Sequence, residues 1–293
     1  MPSIPSVLLG SSHVMQRVRE AIATLAVLPR PVRLEGPTGS GKGVAARMLH
    51  ARSPRAGIAL IVCSLANIGD STALDELLGH RRGAFTGAVE DRSGLFEDAH
   101  HGTLFLDEVG EASPQVQRNL LRLLDEQVTC RLGERRDRPV DVRVILATNR
   151  DLEAEVGAGR FREDLFARVE EFVVRMPSLS EHPEDIPELV DHLLPLKCQE
   201  LQRTAPPLTP AHLDQLMAYT WPRNVRQLAK VIEHYVVFGC LSPAVQTGAR
   251  PRDWRRHVRP VLERHGGNVK AAARELGVAR QTLHEELRLR TRP

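Results

Sequence analysis

The sequence predicts an α/β protein in which a parallel β-sheet is covered by helices and followed by helical segments. Three observations support this class. Apolar runs at residues 32–34, 60–63, 103–106 and 142–147 alternate with helical stretches such as 114–126, which is typical of a parallel sheet. The first run leads through a glycine-rich loop into a helical stretch. Beyond Pro177 the strand patterns stop, and residues 183–240 are helical stretches separated by proline-containing turns.

Composition indicates a globular protein of a reducing compartment. The 293 residues are 42% hydrophobic and include four widely spaced cysteines without a C-x-x-C pair, so neither a disulfide framework nor a zinc site is predicted. The N-terminus lacks a signal-peptide pattern, and no run reaches the roughly 18 apolar residues of a membrane helix. We therefore expect a cytoplasmic protein without a membrane partner.

Charge is divided unevenly along the chain. Residues 241–293 contain 12 Lys/Arg and 5 Asp/Glu, whereas residues 1–240 contain 28 and 32. A net +7 tail beside a −4 body favours binding of a polyanion by the C-terminal piece. A solvated basic helix is the alternative explanation of this charge.

The first helix is predicted before the glycine-rich loop. Ser11 or Ser12 can cap it, and Pro29 and Pro31 end it. Its apolar residues recur at helical spacing and predict one buried face: Val14, Met15, Val18, Ile22 and Leu25.

The glycine-rich loop fits the pattern G-x-x-x-x-G-K between a strand and a helix, the setting of a phosphate-binding loop. Its residues, all predicted to bind ATP, are Gly36, Pro37, Thr38, Gly39, Ser40, Gly41, Lys42 and Gly43. Backbone N–H groups and the helix N-terminus would face the phosphates, and Lys42 would lie at the β- and γ-phosphates. A tight structural turn is the alternative. Gly43 stands where most such loops carry the Ser or Thr that binds Mg²⁺.

Two carboxylates follow the strand at residues 103–106. Asp107 suits Mg²⁺ and its waters, and Glu108 can polarise the attacking water, because phosphoryl transfer needs mainly positioning and charge stabilisation. The alternative is a helix start, where acids are also favoured.

A third motif identifies a family resemblance. Residues 83–88, which are Gly83, Ala84, Phe85, Thr86, Gly87 and Ala88, resemble the signature GAFTGA loop of sigma-54-dependent enhancer-binding activators, which are AAA+ P-loop NTPases. The resemblance runs from about Leu9 to the C-terminus and includes residues 102–108, 147–150, 161–165 and 221–226. It implies that the 83–88 loop, chiefly Phe85 and Thr86, contacts sigma-54. A packed turn is the alternative for this loop.

The resemblance also implies roles for other residues. Arg162 and Arg168 resemble arginines that reach the ATP of a neighbouring subunit, with surface ion pairing as the alternative. Thr148 and Asn149 resemble the sensor of the γ-phosphate, and Arg226 resembles a second sensor in a helical lid. Arg131 lies where the family often places another interface arginine.

Two positions depart from the family pattern. Ser64 replaces the asparagine that usually holds the water-activating glutamate, and Gly43 replaces the glutamate that usually follows the loop lysine. We expect altered coupling between hydrolysis and loop movement, and reduced or subunit-dependent ATPase activity.

The C-terminal residues resemble a Fis-type helix-turn-helix domain. Helices are predicted at 254–264, 268–276 and 279–289, with Gly277 at the turn. Arg280, Gln281 and His284 would face the major groove. Lys270, Arg274 and Arg288 would contact phosphates.

Together these features predict an AAA+ α/β ATPase subdomain at 1–178, a helical lid at 179–240, a linker at 241–253 and an all-α DNA-binding domain at 254–293. The resemblance implies a hexameric ring that binds upstream enhancer DNA and uses ATP hydrolysis to remodel RNA polymerase held by sigma-54. Because the ATPase region begins within about ten residues of Met1, we expect no regulatory domain before it, and we expect control either by a separate regulatory protein in trans or by the amount of the protein in the cell. Two alternatives stay open: a non-hydrolysing co-activator, and an AAA+ remodeller of other proteins whose tail only pairs subunits.

Overall fold

The computed structural model describes residues 7–66, 68–246, 261–262, 264–265, 268–275, 283 and 287. Its strands are β1 (Val32–Glu35), β2 (Leu60–Ser64), β3 (Gly79–His80), β4 (Arg92–Ser93), β5 (Thr103–Asp107), β6 (Val128–Thr129), β7 (Arg138–Pro139), β8 (Arg143–Thr148) and β9 (Val173–Arg175). Its helices are α1 (His13–Ala26), α2 (Lys42–Ala51), α3 (Asp70–Leu78), α4 (Leu95–Asp98), α5 (Pro114–Glu126), α6 (Leu152–Gly157), α7 (Glu163–Val169), α8 (Ile186–Leu201), α9 (Pro210–Ala218), α10 (Asn224–Phe238), α11 (Pro243–Gln246) and α12 (Val269–Glu275).

The chain divides into two compact units. Unit 1 contains Met1–Leu8 and His13–Pro177, and unit 2 contains Leu9–Ser12 and Ser178–Pro293. No helix among the described residues combines the length and apolar character that crossing a membrane requires.

A parallel sheet forms the centre of unit 1, in the strand order β2-β5-β8-β1-β9. Alternate residues of the inner strands enter two different cores. Val144 and Leu146 of β8 pack with α3 to α7, whereas Ile145 and Ala147 pack with α1 and α2. Both faces of the sheet are therefore covered by helices, and the predicted α/β class is confirmed.

Two short hairpins extend from unit 1. Strands β3 and β4 pair antiparallel, as do β6 and β7, with two residues in each strand. Leu132 connects the hairpins, because its N–H donates to Gly79 (2.9 Å) and its carbonyl accepts from Arg81 (2.9 Å). The β3–β4 hairpin encloses the 83–88 loop, so this loop is fixed at its base to the segment between β6 and β7.

Unit 2 is a helical unit with its own apolar core. Trp221, 1% exposed, is among the largest buried side chains of that core, and its indole N–H donates to the Leu216 carbonyl (2.9 Å). Leu9 packs against this core. The fully buried Asp185 accepts from the N–H (2.8 Å) and hydroxyl (2.6 Å) of Ser12. The short segment Leu9–Ser12 is therefore part of unit 2 in both packing and hydrogen bonding.

The structure corrects three details of the sequence analysis. Val14 is 38% exposed, whereas Met15, Val18 and Ile22 are buried, so Val14 does not belong to the buried face of α1. Strand β9 was not predicted. Residues 241–246, predicted as the start of a linker, include α11 (Pro243–Gln246) and bury Leu241 and Val245 in the core of unit 2.

Few C-terminal residues are described. α12 lies inside the predicted 268–276 helix, and Ala272 and Ala273 are buried with Val261 and Leu283. The helices predicted at 254–264 and 279–289 fall mostly outside the described residues.

Candidate functional site

The candidate site lies at the carboxyl ends of β1, β5 and β8. Glu35 at the end of β1 pairs in register with Thr148 at the end of β8, and Gly36 donates to the Thr148 carbonyl (3.2 Å). Because these strands are parallel and adjacent in the sheet, the residues that follow them meet at one edge. Open α/β sheets place ligands at this edge.

The glycine loop has the backbone that a phosphate-binding loop needs. Gly36 has φ +154°, and a Cβ there would lie 2.4 Å from the Met176 carbonyl oxygen, so no side chain fits. Gly41 has φ +99° and precedes the first residue of the ten-residue helix α2. The loop therefore brings backbone N–H groups and the positive end of a helix dipole together, an arrangement that suits anionic phosphates.

Lys42 carries its charge into this loop. Its side chain is 6% exposed, and Nζ donates to the Gly36 carbonyl (2.8 Å). The same Nζ lies 3.9 Å from Oε1 of Glu108. The lysine and the glutamate predicted for nucleotide chemistry are therefore neighbours.

Other loop residues occupy different settings. Ser40 is buried, and its hydroxyl oxygen has no hydrogen-bond partner in the part of the chain that the structure describes. Pro37 is exposed, and Thr38 and Gly39 are half-buried. Gly43 has no hydroxyl that could bind a cation. Asp107, the residue predicted to bind Mg²⁺, is half-buried at the end of β5, and its carboxylate oxygens suit a cation.

Glu108 adopts a left-handed backbone conformation, with φ +57° and ψ +48°. This conformation costs a non-glycine residue about 1–2 kcal/mol. Its Oε2 accepts from the Asn149 backbone N–H (3.1 Å), and Nδ2 of Asn149 donates to Oγ1 of Thr38 (3.0 Å). Residues from three separate predicted motifs thus meet in one hydrogen-bonded group.

Two predicted residues do not join this group. The Thr148 hydroxyl accepts from the Arg150 N–H (3.0 Å) instead of pointing to the glycine loop. Ser64 pairs in register with Asp107, but its side chain is exposed and forms no hydrogen bond within the described residues.

The 83–88 loop is a closed turn with an exposed tip. Gly83 donates to the Ala88 carbonyl (2.8 Å), and Ala88 donates to the Phe85 carbonyl (3.0 Å). Phe85 is 46% exposed and Ala88 is 6% exposed. Ala84 packs on Gly133, where an added Cβ would lie 2.8 Å from the Ala84 Cβ. The surface available to a partner therefore consists of Phe85, Thr86, Gly83 and Gly87, whereas Ala88 belongs to the base of the loop.

The candidate interface arginines form ion pairs within the chain. Arg162 contacts Asp164 (2.6 Å), and Arg168 contacts Asp125 (2.7 Å). Both arginines are exposed, which leaves them accessible to a partner, since exposed pairs contribute little energy. The pKa of Arg162 is raised by its hydrogen bonds to Asp164.

Arg131 differs from these two arginines. It is mostly buried and donates Nε and Nη2 to the two oxygens of Glu97, both at 2.7 Å. It therefore connects the β6–β7 hairpin to α4 within the chain.

Gln117, which was not predicted as a site residue, fixes the position of Arg162. This side chain on α5 is 1% exposed. Its Nε2 donates to the carbonyls of Ala112 (2.8 Å) and Arg160 (2.9 Å), and its Oε1 accepts from the Arg162 N–H (2.9 Å). Gln117 thus fixes the backbone that carries Arg162. A glutamine within an amphipathic helix gives no sequence signal of this contact.

The remaining predicted residues belong to unit 2. Arg226 lies in the first turn of α10 with an exposed side chain. Lys270 is exposed on α12, which also contains Arg274. Arg280, Gln281, His284 and Arg288 lie outside the described residues.

Comparison with known protein families divides the chain into three parts. Residues 8–175 match the sigma-54 interaction domain, residues 180–255 match an AAA+ ATPase lid domain, and residues 255–288 match the Fis family of bacterial regulatory proteins.

The chain is also similar to individual proteins along most of its length. The transcriptional regulatory protein ZraR of Salmonella typhimurium is 39% identical, over 96% of this chain and 68% of ZraR. The nitrogen fixation protein AnfA of Azotobacter vinelandii is 37% identical, over 95% of this chain and 56% of AnfA. The crystal structure of NtrX from Brucella abortus in complex with ADP has a TM-score of 0.77 and 29% identity, and the match covers 99% of this chain and 70% of NtrX. The NtrX complex with ATP has a TM-score of 0.75 at 30% identity, covering 97% and 69%.

Proposed function

Because the chain belongs to the sigma-54-dependent transcriptional activators of the AAA+ ATPase superfamily, we propose that it couples ATP hydrolysis to opening of a sigma-54 promoter complex. The observation that carries this proposal is the meeting of Lys42, Glu108 and Asn149 at the glycine loop, in the same unit as a loop with an exposed phenylalanine. We propose a cytoplasmic site of action, where the polymerase is found.

The residues of the site divide the chemistry between them. Lys42 and the loop N–H groups hold the phosphates, and Asp107 holds Mg²⁺ through its carboxylate. Mg²⁺ supplies charge neutralisation at the phosphate oxygens. Glu108 orients and polarises the attacking water. Because Gly43 has no hydroxyl, it would supply no side-chain ligand, and Mg²⁺ would rely on phosphate oxygens, waters and other side chains.

Hydrolysis requires a neighbouring subunit in this proposal. Arg162 and Arg168 leave their exposed intrachain partners and contact the γ-phosphate bound by the adjacent chain, where they stabilise developing negative charge. A hexameric ring provides such a boundary at every site. Thr148 and Asn149 act as the γ-phosphate sensor, and Arg226 acts from the lid.

The 83–88 loop transmits the nucleotide state to the polymerase. Phe85 and Thr86 contact sigma-54, and the C-terminal domain holds enhancer DNA through Lys270, Arg274, Arg280, Gln281, His284 and Arg288. The fixed base of the loop supports this role, because backbone hydrogen bonds to Leu132 join the base of the loop to the segment between β6 and β7.

Reconstituted transcription from a sigma-54 promoter tests this function. We expect the unaltered chain to hydrolyse ATP and open the promoter, and Asp107→Ala to lose both activities. Thr86→Ala should retain ATPase activity and lose transcription, and removal of the tail should lower activation from an enhancer. ATPase activity without any nucleotide-dependent contact with sigma-54 would contradict the proposal.

A non-hydrolysing co-activator is a second candidate, favoured by Gly43 and by the absence of a hydrogen bond between Ser64 and other described residues. It binds ATP as a structural switch. Phosphate release by the purified chain, abolished in Asp107→Ala, would exclude it.

A further inference from the structure

Glu108 is connected to the glycine loop through a single residue. Asn149 donates its backbone N–H to Oε2 of Glu108 (3.1 Å) and its side-chain Nδ2 to Oγ1 of Thr38 (3.0 Å). Asn149 is therefore held from both sides, by a hydroxyl of the loop and by the carboxylate that is to activate water. We call these three residues the 38–149–108 latch.

The backbone N–H of Asn149 donates the one hydrogen bond that the Glu108 carboxylate forms with the described residues. That carboxylate is 17% exposed, and Lys42 is a close charged neighbour, with its Nζ 3.9 Å from Oε1 of Glu108. Ser64, on the adjacent strand, forms no side-chain hydrogen bond within the described residues. Glu108 also has a left-handed backbone, which is unfavourable for a side chain-bearing residue. The hydrogen bond from Asn149 therefore helps to determine which way the carboxylate points.

We propose that Thr38 is a positioning residue that, through Asn149, holds Glu108 in an inactive position until a γ-phosphate is bound. The inference rests on the proposed function and assigns a regulatory contact to its nucleotide site. The Nδ2 group of Asn149 has two hydrogens and lies against the loop that receives the β- and γ-phosphates. Charged phosphate oxygens are stronger acceptors than a neutral hydroxyl.

The consequence is discrimination between ATP and ADP. Asn149 exchanges Thr38 for an oxygen of the γ-phosphate, its backbone moves, and the N–H that holds Glu108 is withdrawn. ADP lacks these oxygens, so Glu108 stays restrained. Binding of ATP must then break the hydrogen bond between Thr38 and Asn149, which lowers the affinity for ATP by about 2- to 10-fold relative to a chain without this bond.

Nucleotide affinity of the full-length chain tests the latch without depending on turnover. Dissociation constants of ADP and of the slowly hydrolysed analogue ATPγS are measured by calorimetry with Mg²⁺. Thr38→Val removes the hydroxyl at nearly constant volume, and we expect the ratio of the ADP constant to the ATPγS constant to rise about 2- to 10-fold. Thr38→Ser keeps the hydroxyl and should keep the ratio of the unaltered chain.

A matched control separates the latch from a general effect of Thr→Val. Thr24 is exposed on α1, where its hydroxyl donates to the Glu20 carbonyl (3.0 Å). Thr24→Val should leave the ratio unchanged. An unchanged ratio in Thr38→Val, or the same rise in Thr38→Ser or Thr24→Val, would overturn the proposal.

A double-mutant cycle shows whether Thr38 acts through Asn149. Asn149→Ala removes the side-chain amide, so adding Thr38→Val to this variant should cause no further change in the ratio. Equal effects of Thr38→Val in both backgrounds would overturn the latch while leaving the proposed function intact. Failure of the unaltered chain to bind ATPγS would instead overturn the proposed function and the latch together.

Discussion

At the scale of single residues, a few close hydrogen-bonded and charged partners set the pKa of Glu155. Arg160 donates Nε (2.7 Å) and Nη2 (2.8 Å) to Glu155, and Arg150 donates a weaker bond (3.3 Å). These contacts lower the pKa of Glu155 to about 2. Such a shift does not follow from the sequence, because an acid and an arginine five residues apart, around the end of a short helix, form no standard helical pair.

The Glu155 carboxylate supplies a pH prediction. Its pKa in the folded chain lies below the ordinary value of 4.5, so its contribution to stability is present above pH 4.5 and is lost as the pH falls toward 2. We expect a carbon NMR titration of this carboxyl group to have its midpoint near 2. Arg160→Gln should move the midpoint upward, and a midpoint near 4.5 in the unaltered chain would contradict the structure.

Ser64 gives a second prediction at this scale. Because its hydroxyl bonds to no described group, Ser64→Ala should change the rate of ATP hydrolysis at saturating ATP by less than about 2-fold. A phosphate-release assay measures this rate. A loss of more than about 10-fold would indicate that Ser64 assists Glu108, and a rise of that size would indicate that Ser64 restrains it; either result would be contrary to the geometry.

At the scale of elements, contiguous apolar runs predicted strands reliably. Strands that depend on pairing with distant segments were not predicted. Strands β1, β2, β5 and β8 begin within one residue of the predicted runs, and the buried residues of β1, β5 and β8 are consecutive. Strand β9 has three residues (Val173–Arg175), and β3, β4, β6 and β7 have two each. Their existence depends on hydrogen bonds to distant segments, which leave no local pattern.

The same limit applies to the site. The glycine loop and the Asp107–Glu108 pair were predictable because each motif is continuous in sequence. The contact of Gln117 with Arg162 spans 45 residues, and the orientation of the Thr148 hydroxyl toward Arg150 depends on a local turn. Neither contact has a sequence signature.

Contact between the 83–88 loop and the segment after β6 gives an element-scale prediction. Gly133 has φ +77°, and Gly133→Ala would place a Cβ 2.8 Å from the Cβ of Ala84. We expect transcription to fall at least about 10-fold because the loop base is displaced, while ATPase activity stays within about 2-fold.

Gly159→Ala is a matched control, because Gly159 has φ +69° and open space around it. It imposes a similar backbone cost of about 1–2 kcal/mol and should leave transcription unchanged. Equal losses in the two variants would contradict the prediction.

For the whole molecule, the uneven distribution of charge agrees with the positions of the matched families along the chain. Acidic residues outnumber basic residues in residues 1–240, and the basic excess lies in residues 241–293, which contain the whole Fis-family match. A body of slightly negative charge avoids competing with the tail for DNA.

Salt dependence of DNA binding gives a prediction at this scale. The logarithm of the affinity of the full chain for a non-specific DNA duplex should fall linearly with the logarithm of the salt concentration. Lys270→Ala should reduce the magnitude of the slope by about 1, since one phosphate contact is lost. Lys230→Ala is the control, because Lys230 is exposed on α10 and pairs with Glu233 (2.8 Å). An unchanged slope in Lys270→Ala would contradict a phosphate contact there.

The membership of Leu9–Ser12 in unit 2 affects how that unit can be produced in isolation. A fragment that starts at Ser178 would lack Leu9 and both donors that Ser12 provides to the fully buried Asp185. Each lost donor to a buried carboxylate costs about 1–3 kcal/mol. Such a fragment should melt at a lower temperature than one in which the four residues are supplied as a genetically fused leader.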